Sequence, residues 1–176
     1  MRKLIFYGAI SLDGYLATQN DNLQWLFDTD LAGTSTYDTF ITTVDTVVMG
    51  RKTFEEAQKL MPDQVLYPDK TVIVFSRTPH QAVAHESWCQ EEVVSYLTNL
   101  KKQKGADIWF VGGGNLLKPV LEADLIDEWY VQVAPVLLGR GKSLFEPGDY
   151  NQRLEMLAVV QMGELTELHL AKKKEN

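Results

Sequence analysis

Three consecutive glycines, Gly112, Gly113 and Gly114, separate a short apolar run that is typical of a β-strand from a segment that is typical of a helix. Glycine lets backbone N–H groups approach a bound anion closely, and the N-terminus of the following helix adds a favourable electric field. Such a turn suits the pyrophosphate of a dinucleotide. Because Leu117 stands where a third spaced glycine would be, the G-x-G-x-x-G fingerprint is not matched, and a simple tight turn is the alternative.

Basic and hydroxyl side chains directly follow two other short apolar runs. They are Arg51, Lys52 and Thr53, which follow DTVVM and Gly50, and Ser76, Arg77 and Thr78, which follow TVIVF. In an open α/β sheet, ligands bind outside the carboxyl ends of the strands, so these residues and the glycines are expected to converge. Two arginines near one another suit a phosphorylated ligand such as an adenosine 2′-phosphate. Taken separately, Arg51 and Arg77 are equally compatible with solvated loops.

Composition limits the classes of protein that fit this chain. Its 176 residues suffice for one domain, and 17 Lys and Arg against 24 Asp and Glu give a net charge of −7. That balance argues against non-specific binding to nucleic acid or to an anionic membrane. One cysteine and three scattered histidines (His80, His85 and His169) exclude a disulfide framework and a zinc cluster. Without a signal-peptide pattern or a membrane-length apolar run, we expect a cytoplasmic protein with no metal site.

Strand-type and helix-type segments alternate over the first two thirds of the chain. Short β-branched or aromatic runs predict strands at Leu4–Ile10, Asp45–Met49, Thr71–Phe75 and Ile108–Val111. Helix-compatible segments lie at about Asp30–Thr43, Thr53–Leu60, Glu91–Lys102 and Asn115–Ala123. Runs that are apolar on both faces favour a parallel sheet covered by helices, so the alternation predicts an α/β fold.

The end of the chain has a different pattern. Glu128–Val133, Arg153–Gln161 and Leu165–Ala171 are strand-like and no helical segment separates them, so we expect antiparallel strands that close one edge of the sheet. Met162 to Glu164 reads as a hairpin turn. Residues 1–176 are therefore expected to form a single α/β domain, with a mostly parallel central sheet and antiparallel C-terminal strands.

Several of these segments together resemble a known family. VVMGRKTFE, VFSRT and WFVGGGNLL are similar, in order and spacing, to the three cofactor-binding segments of the dihydrofolate reductase fold. SLDGYLA and LIDEWYVQVAPVLLGRGKSLF resemble the C-terminal reductase domain of the riboflavin-synthesis protein RibD, and the last block is the most specific. The resemblance covers nearly the whole chain. It implies a dihydrofolate reductase-like three-layer fold and NADPH as cofactor.

The resemblance also implies which residues bind NADPH. Arg51, Ser76 and Arg77 would hold the 2′-phosphate, the first turns of the two flanking helices would hold the pyrophosphate, and Ala9 and Ile10 would meet the nicotinamide carboxamide. The full expected set is Ala9, Ile10, Gly50, Arg51, Lys52, Thr53, Ser76, Arg77, Gly112, Gly113, Gly114, Asn115 and Leu116.

Two carboxylates are candidates for catalysis, and each has a structural alternative. Dihydrofolate reductases place an acidic residue near the start of the first helix, where this chain has Thr34; Asp38 lies one turn further along, and it could also be a solvated helix-face residue. Asp13, in SLDG, would orient the substrate or stabilise the turn. Trp25 would belong to a loop that closes over the nicotinamide, or it would anchor the following helix.

The resemblance implies an NADPH-dependent reductase that delivers hydride to a C=N or C=O of a small heterocycle or a ribosylaminopyrimidine, as in riboflavin biosynthesis. RibD-type domains usually carry an acidic residue in the glycine segment, where this chain has Gly114 and Asn115. The alternatives are a non-catalytic NADPH-binding or sensing protein and a dihydrofolate reductase. Because the family often pairs subunits through its C-terminal strands, a homodimer is also expected.

Overall fold

The computed structural model describes residues 1–80 and 86–173 of the chain. The strands are β1 (Leu4–Ser11), β2 (Tyr15–Ala17), β3 (Val44–Gly50), β4 (Thr71–Phe75), β5 (Glu86–Cys89), β6 (Asp107–Gly112), β7 (Glu128–Ala134), β8 (Lys142–Ser143), β9 (Leu154–Met162) and β10 (Leu165–Lys172). The helices are α1 (Gln24–Phe27), α2 (Tyr37–Ile41), α3 (Arg51–Leu60), α4 (Val93–Lys101) and α5 (Gly114–Glu122).

The central sheet has the strand order β5-β4-β3-β6-β1-β7-β10-β9. Its first six strands are mutually parallel, and β10 runs antiparallel to both β7 and β9. The expectation of a mostly parallel sheet with antiparallel C-terminal strands is confirmed. The expectation is wrong for β7, which was expected to be antiparallel and instead runs parallel to its neighbour β1. The reason is that helix α5 lies between β6 and β7 and returns the chain to the edge of the sheet at which the parallel strands begin.

Two hydrophobic cores lie on opposite faces of this sheet. On one face, Phe40 of α2 and Phe54 of α3 pack in a cluster with Trp109. On the other, Leu97 of α4 and Leu117 of α5 pack in a second cluster. Runs such as VDTVVMG are buried almost throughout, because the sheet is covered on both sides. The result is the three-layer arrangement that the resemblance implies.

The predicted helix over residues 30–43 is reduced to the five residues of α2. Ala32 and Gly33 have positive φ angles of 48° and 69°, which end any helix there. Asp30 exchanges hydrogen bonds with Glu164 in the β9–β10 turn, at 2.8 and 2.9 Å, so residues 30–36 are held as a loop against that hairpin. Tertiary contacts therefore override the local helical pattern.

Three short strands were not predicted from the sequence. β5 extends the sheet beyond β4, while β2 and β8 pair with each other outside the main sheet. The β2–β8 pair joins the segment that follows β1 to the segment that follows β7. No helix among the described residues is long and apolar enough to cross a membrane.

Candidate functional site

The strand β1 separates from β6 at the carboxyl edge of the sheet. Its pairing with β6 ends at Phe6 and Phe110, whereas its pairing with β7 continues to Ser11 and Ala134. Beyond Phe6, the side of β1 that faces β6 therefore has no strand partner. This cleft contains Ala9, which is partly exposed, and its unpaired backbone groups can bind a planar amide such as a carboxamide.

Two helix N-termini meet beside this cleft. α3 begins directly after β3, and α5 begins directly after β6, which is the neighbouring strand. Since α3 and α5 pack on opposite faces of the sheet, the gap between them is a topological switch point, where α/β proteins bind ligands. The two turns are in contact: a side chain on Gly113 would lie 3.4 Å from the Thr53 hydroxyl oxygen.

No side chain of the described residues caps either of these N-termini. The residues that precede α3 and α5 are Gly50 and Gly113, which have no side chain, and no other described side chain accepts a hydrogen bond from the first turn of either helix. By contrast, the Glu92 carboxylate caps α4 and accepts from the N–H groups of Val94 and Ser95. The uncapped N–H groups of α3 and α5 fit an external anion, as a dinucleotide pyrophosphate requires.

Basic residues lie along the same edge. Gly50 and Phe75 are register partners in β3 and β4, so Arg51 and Ser76, which follow them, are brought together as expected. Arg51 donates to Glu55 at 2.8 Å across one helical turn, with both side chains about two-fifths exposed. Arg77 is exposed and forms no ion pair with the described residues. Both guanidinium groups are therefore accessible to a phosphate.

Gly114 has a packing role that the sequence did not reveal. Gly114 lies next to the backbone carbonyl of Ser143 in β8, and a Cβ atom on residue 114 would collide with that carbonyl oxygen. The absence of a side chain at Gly114 therefore allows the segment that follows β7 to pack against the start of α5. Of the remaining expected residues, Lys52 and Asn115 are exposed, and the Leu116 side chain lies 3.9 Å from the place of a Cβ on Gly50.

Asp13 is bonded to the loop that follows β7. Its carboxylate accepts hydrogen bonds from the Ser11 hydroxyl at 2.6 Å and from the backbone N–H groups of Leu138 and Gly139 at 3.1 and 2.7 Å. The Ser11 hydrogen bond, with smaller contributions from Gly139 and Leu138, holds the pKa of Asp13 below its usual value. This arrangement favours turn stabilisation over contact with a substrate.

Asp38, the other catalytic candidate, and Trp25, the candidate substrate-loop residue, lie outside this hydrogen-bonded region. Asp38 is exposed on α2 and forms no hydrogen bond with the described residues, which favours a solvated helix-face role. Trp25 lies in the short helix α1 and is partly buried, and its indole N–H is buried without a hydrogen-bond partner among the described residues. His85 falls outside the described residues.

A buried polar network near the cleft was missed from the sequence. Glu167 of β10 is only 1% exposed, and its Oε2 accepts hydrogen bonds from Thr36 at 2.7 Å and from Gln132 at 2.8 Å. The Tyr7 hydroxyl lies 2.9 Å from the Thr36 hydroxyl. A signal existed in the alternating strand LTELHLA, where a glutamate occupies an inward-facing position.

A separate cavity of about 240 Å³ opens between α2 and the α3–β4 connection. Its lining is largely apolar and aromatic and includes Tyr37, Ile41, Met61 and Tyr67. Burial raises the pKa of Tyr67 to about 12. The Lys70 ammonium at its rim donates to the carbonyls of Ile41 and Val44, both at 2.8 Å.

Comparison with known proteins agrees with this architecture. The model of the RibD C-terminal domain matches residues 2–168. The uncharacterized protein YwjB of Bacillus subtilis (strain 168) is 36% identical over 169 residues, which are 96% of this chain and 97% of that protein.

Two of the solved structures that share the fold illustrate the likeness. The first is a provisionally assigned riboflavin biosynthesis protein of Shewanella sp. PV-4, with 27% identity, a TM-score of 0.84 and coverage of 99% of this chain and 100% of that one. The second is the dihydrofolate reductase of Enterococcus faecalis in complex with NADP(H), with 19% identity, a TM-score of 0.65 and coverage of 98% and 97%. The second likeness concerns the fold alone.

Proposed function

This chain belongs to the RibD C-terminal domain family, a family of reductases, and we propose that it is an NADPH-dependent reductase. The observation that carries this proposal is the pair of uncapped helix N-termini, α3 and α5, which meet at Thr53 and Gly113 beside the open edge of β1. In an acidic protein with a net charge of −7, this edge offers an anion the exposed Arg77, the partly exposed Arg51 and the uncapped N–H groups of two helices.

The role of the protein is to bind and orient. NADPH, when bound, supplies the hydride from its nicotinamide ring. The turns at Gly50 and Gly113 would hold the pyrophosphate, and Arg51, Ser76 and Arg77 would hold the 2′-phosphate. The unpaired edge of β1 at Ala9 would hold the carboxamide, which fixes the ring beside the substrate.

We propose as substrate a small heterocycle with a C=N or C=O bond, and a ribosylaminopyrimidine phosphate of the riboflavin-biosynthesis type is one such compound. Hydride adds to the carbon, and the nitrogen or oxygen then needs one proton. Because Asp13 is committed to the loop at Leu138 and Asp38 is exposed, water is the proton donor that this site supports.

Cofactor titration tests the proposal. The dissociation constants of NADPH and NADH are measured for the parent protein, for Arg51→Ala and for Arg77→Ala. We expect the parent to bind NADPH at least about tenfold more tightly, because charge-assisted hydrogen bonds reach the 2′-phosphate, and each substitution to reduce that preference. Equal affinities for the two cofactors in the parent protein would contradict the assignment. Lys104→Ala, an exposed residue beyond α4, is the control.

A non-catalytic NADPH-binding protein is the second candidate. The observation that favours it is the commitment of Asp13 to a turn together with the exposure of Asp38, which leaves neither expected carboxylate in the cleft. Oxidation of NADPH is followed at 340 nm with dihydrofolate and with 5-amino-6-(5-phosphoribosylamino)uracil. Rapid turnover excludes the second candidate, whereas tight NADPH binding without turnover across a wider panel of heterocycles supports it.

We also propose that the protein is a homodimer that pairs through β9. This strand is the last of the central sheet, and three of its apolar side chains are about half exposed: Met156 at 50%, Leu157 at 48% and Val159 at 59%. An apolar edge strand is a ready surface for a second copy.

A further inference from the structure

We infer that Gln132 is a substrate-recognition residue and that the buried carboxylate of Glu167 is the positioning residue that fixes the orientation of its amide. The inference rests on the proposed function, because it concerns the substrate side of the nicotinamide cleft. It specifies the substrate class further: a heterocycle that carries an N–H or amino donor on the ring edge near the carbon that is reduced.

Three side chains on one face of the sheet lead from β1 to β10. Ala9 of β1 pairs in register with Gln132 of β7, and Gln132 pairs with Glu167 of β10. Register partners in adjacent strands project from the same face of a sheet, so these three side chains form one row. The row starts at the residue of β1 that is expected to meet the nicotinamide. Gln132 is partly exposed and Glu167 is buried, so a ligand beside Ala9 reaches the amide and not the carboxylate.

Two side chains donate hydrogen bonds to the same oxygen of Glu167. The Thr36 hydroxyl and the side-chain nitrogen of Gln132 both donate to its Oε2. The single hydroxyl hydrogen of Thr36 is thereby used. The contact of 2.9 Å between the Thr36 and Tyr7 oxygens must therefore take its hydrogen from Tyr7.

The hydrogen bond to Glu167 orients the amide. The side-chain nitrogen of Gln132 donates to Oε2 of Glu167 at 2.8 Å. Gln132 cannot exchange its oxygen and nitrogen without placing its oxygen against the carboxylate. The amide oxygen accepts no hydrogen bond from the described residues, and it remains as a fixed acceptor for a ligand.

The fixed amide oxygen favours ligands that donate a hydrogen bond over ligands that only accept one. A ring N–H or an exocyclic amino group can donate to the fixed oxygen, whereas a carbonyl or a ring nitrogen without hydrogen would oppose it. A site that leaves a polar group unpaired rejects the wrong ligand more strongly than a site that merely lacks a contact. Glu167 therefore acts through Gln132 and need not touch the substrate.

The test uses two probes of the same shape, 2,4-diaminopyrimidine and 2,4-dimethylpyrimidine, titrated calorimetrically into the NADPH-loaded protein at a pH where both are neutral. We expect the diamine to bind about tenfold more tightly, which corresponds to one hydrogen bond. Gln132→Leu should abolish this ratio. Glu167→Gln should also reduce it, because a glutamine at position 167 can donate and so allows the amide of Gln132 to turn.

Thr36→Val is the matched control. It removes the other hydrogen bond to Glu167 at 2.7 Å and the contact with the Tyr7 hydroxyl at 2.9 Å, but it leaves the hydrogen bond between Gln132 and Glu167. It should therefore lower the melting temperature and leave the ratio between the probes unchanged. Equal binding of the two probes to the parent protein, or an unchanged ratio in Glu167→Gln, would overturn the inference. A loss of the ratio in Thr36→Val would show that general loosening of the network, rather than amide orientation, sets the selectivity.

Two further readouts keep the outcomes distinct. NADPH affinity is measured first for every variant, and failure of the parent to bind NADPH refutes the proposed function rather than the role of Gln132. If Glu167→Gln does not fold, the side-chain ¹⁵N–¹H signals of Gln132 in the parent protein are followed during titration with the diamine. Shifts with the diamine and none with the dimethyl probe support the inference, and unchanged signals with both contradict it.

Discussion

Thr53, in the first turn of α3, contacts Gly113, the residue that precedes α5: a Cβ on Gly113 would lie 3.4 Å from the Thr53 hydroxyl oxygen. The two residues are far apart in the chain and come from turns on opposite faces of the sheet. Their contact brings together the two uncapped helix N-termini on which the cofactor proposal depends.

Gly113→Ala should weaken NADPH binding by about tenfold or more, because the added methyl group lies against Thr53 and takes up space between the two helix N-termini, where the pyrophosphate would bind. Gly113 has a φ of 54° and Gly33 has a φ of 69° with no atom near its missing side chain. Gly33→Ala is therefore the control, because it introduces a similar backbone strain at a positive φ angle but no new contact for the added methyl group. Calorimetric titration of both variants should show the loss in Gly113→Ala alone, and an equal loss in both would mean that strain is its cause.

Gly114→Ala should reduce the free energy of unfolding by about 1–3 kcal/mol, because the new methyl group would overlap the carbonyl oxygen of Ser143. Gly50→Ala is the comparison, since a Cβ at Gly50 would have its nearest neighbour at 3.9 Å. Urea denaturation measures both variants. Equal stability in the two would show that β8 shifts away from Gly114 without loss.

Asp13→Asn should lower the melting temperature and leave NADPH affinity unchanged, because the carboxylate bonds to Ser11, Leu138 and Gly139 and thereby holds two loops together. Asp63→Asn, on an exposed turn, is the control substitution. Thermal unfolding and cofactor titration are measured side by side. A normal melting temperature combined with lost turnover would instead identify Asp13 as a catalytic residue.

Glu128 should make the protein sensitive to acid. Burial acts to raise the pKa of Glu128, but hydrogen bonds from Lys3 at 2.5 Å and His169 at 3.2 Å outweigh it and hold that pKa below its usual value. A carboxylate whose folded pKa is lowered contributes stability above its unfolded pKa, and this contribution is lost as the pH falls through the folded pKa.

In Glu128→Gln, the stability should therefore be lower than that of the parent at neutral pH, and the difference should shrink below about pH 4.5. Melting temperatures are measured from pH 7 to pH 3. Glu155→Gln, an exposed residue of β9, is the control and should show no such convergence. A constant difference between Glu128→Gln and the parent at all pH values would contradict the assignment.

Val159→Lys should convert the proposed dimer to a monomer, because it places a charge in the apolar surface of β9 that a second copy would cover. Leu60→Lys, on a residue that is 54% exposed in α3, is the matched control away from that edge. Light scattering coupled to gel filtration gives the mass of each variant. A monomeric parent protein would remove the basis for the dimer.

The parts of the site that could be predicted from the sequence depend on local pattern. Short apolar runs locate β3, β4 and β6, and the residues that follow a parallel strand must lie at its carboxyl edge, whatever the rest of the chain does. For this reason the residue pattern alone assigns Arg51, Ser76 and Gly113 to one edge of the sheet, and the order of their segments indicates the correct family.

Other features depend on contacts between distant segments, which no local pattern contains. Asp13 is bonded to Gly139, Gly114 is crowded by Ser143, and Gln132 is oriented by Glu167 through pairing between β7 and β10. The loop before α2 is a loop because the β9–β10 turn packs on Asp30. Local periodicity specifies which residues begin and end an element, whereas the register between elements determines which carboxylate stabilises a turn and which amide is presented to a ligand.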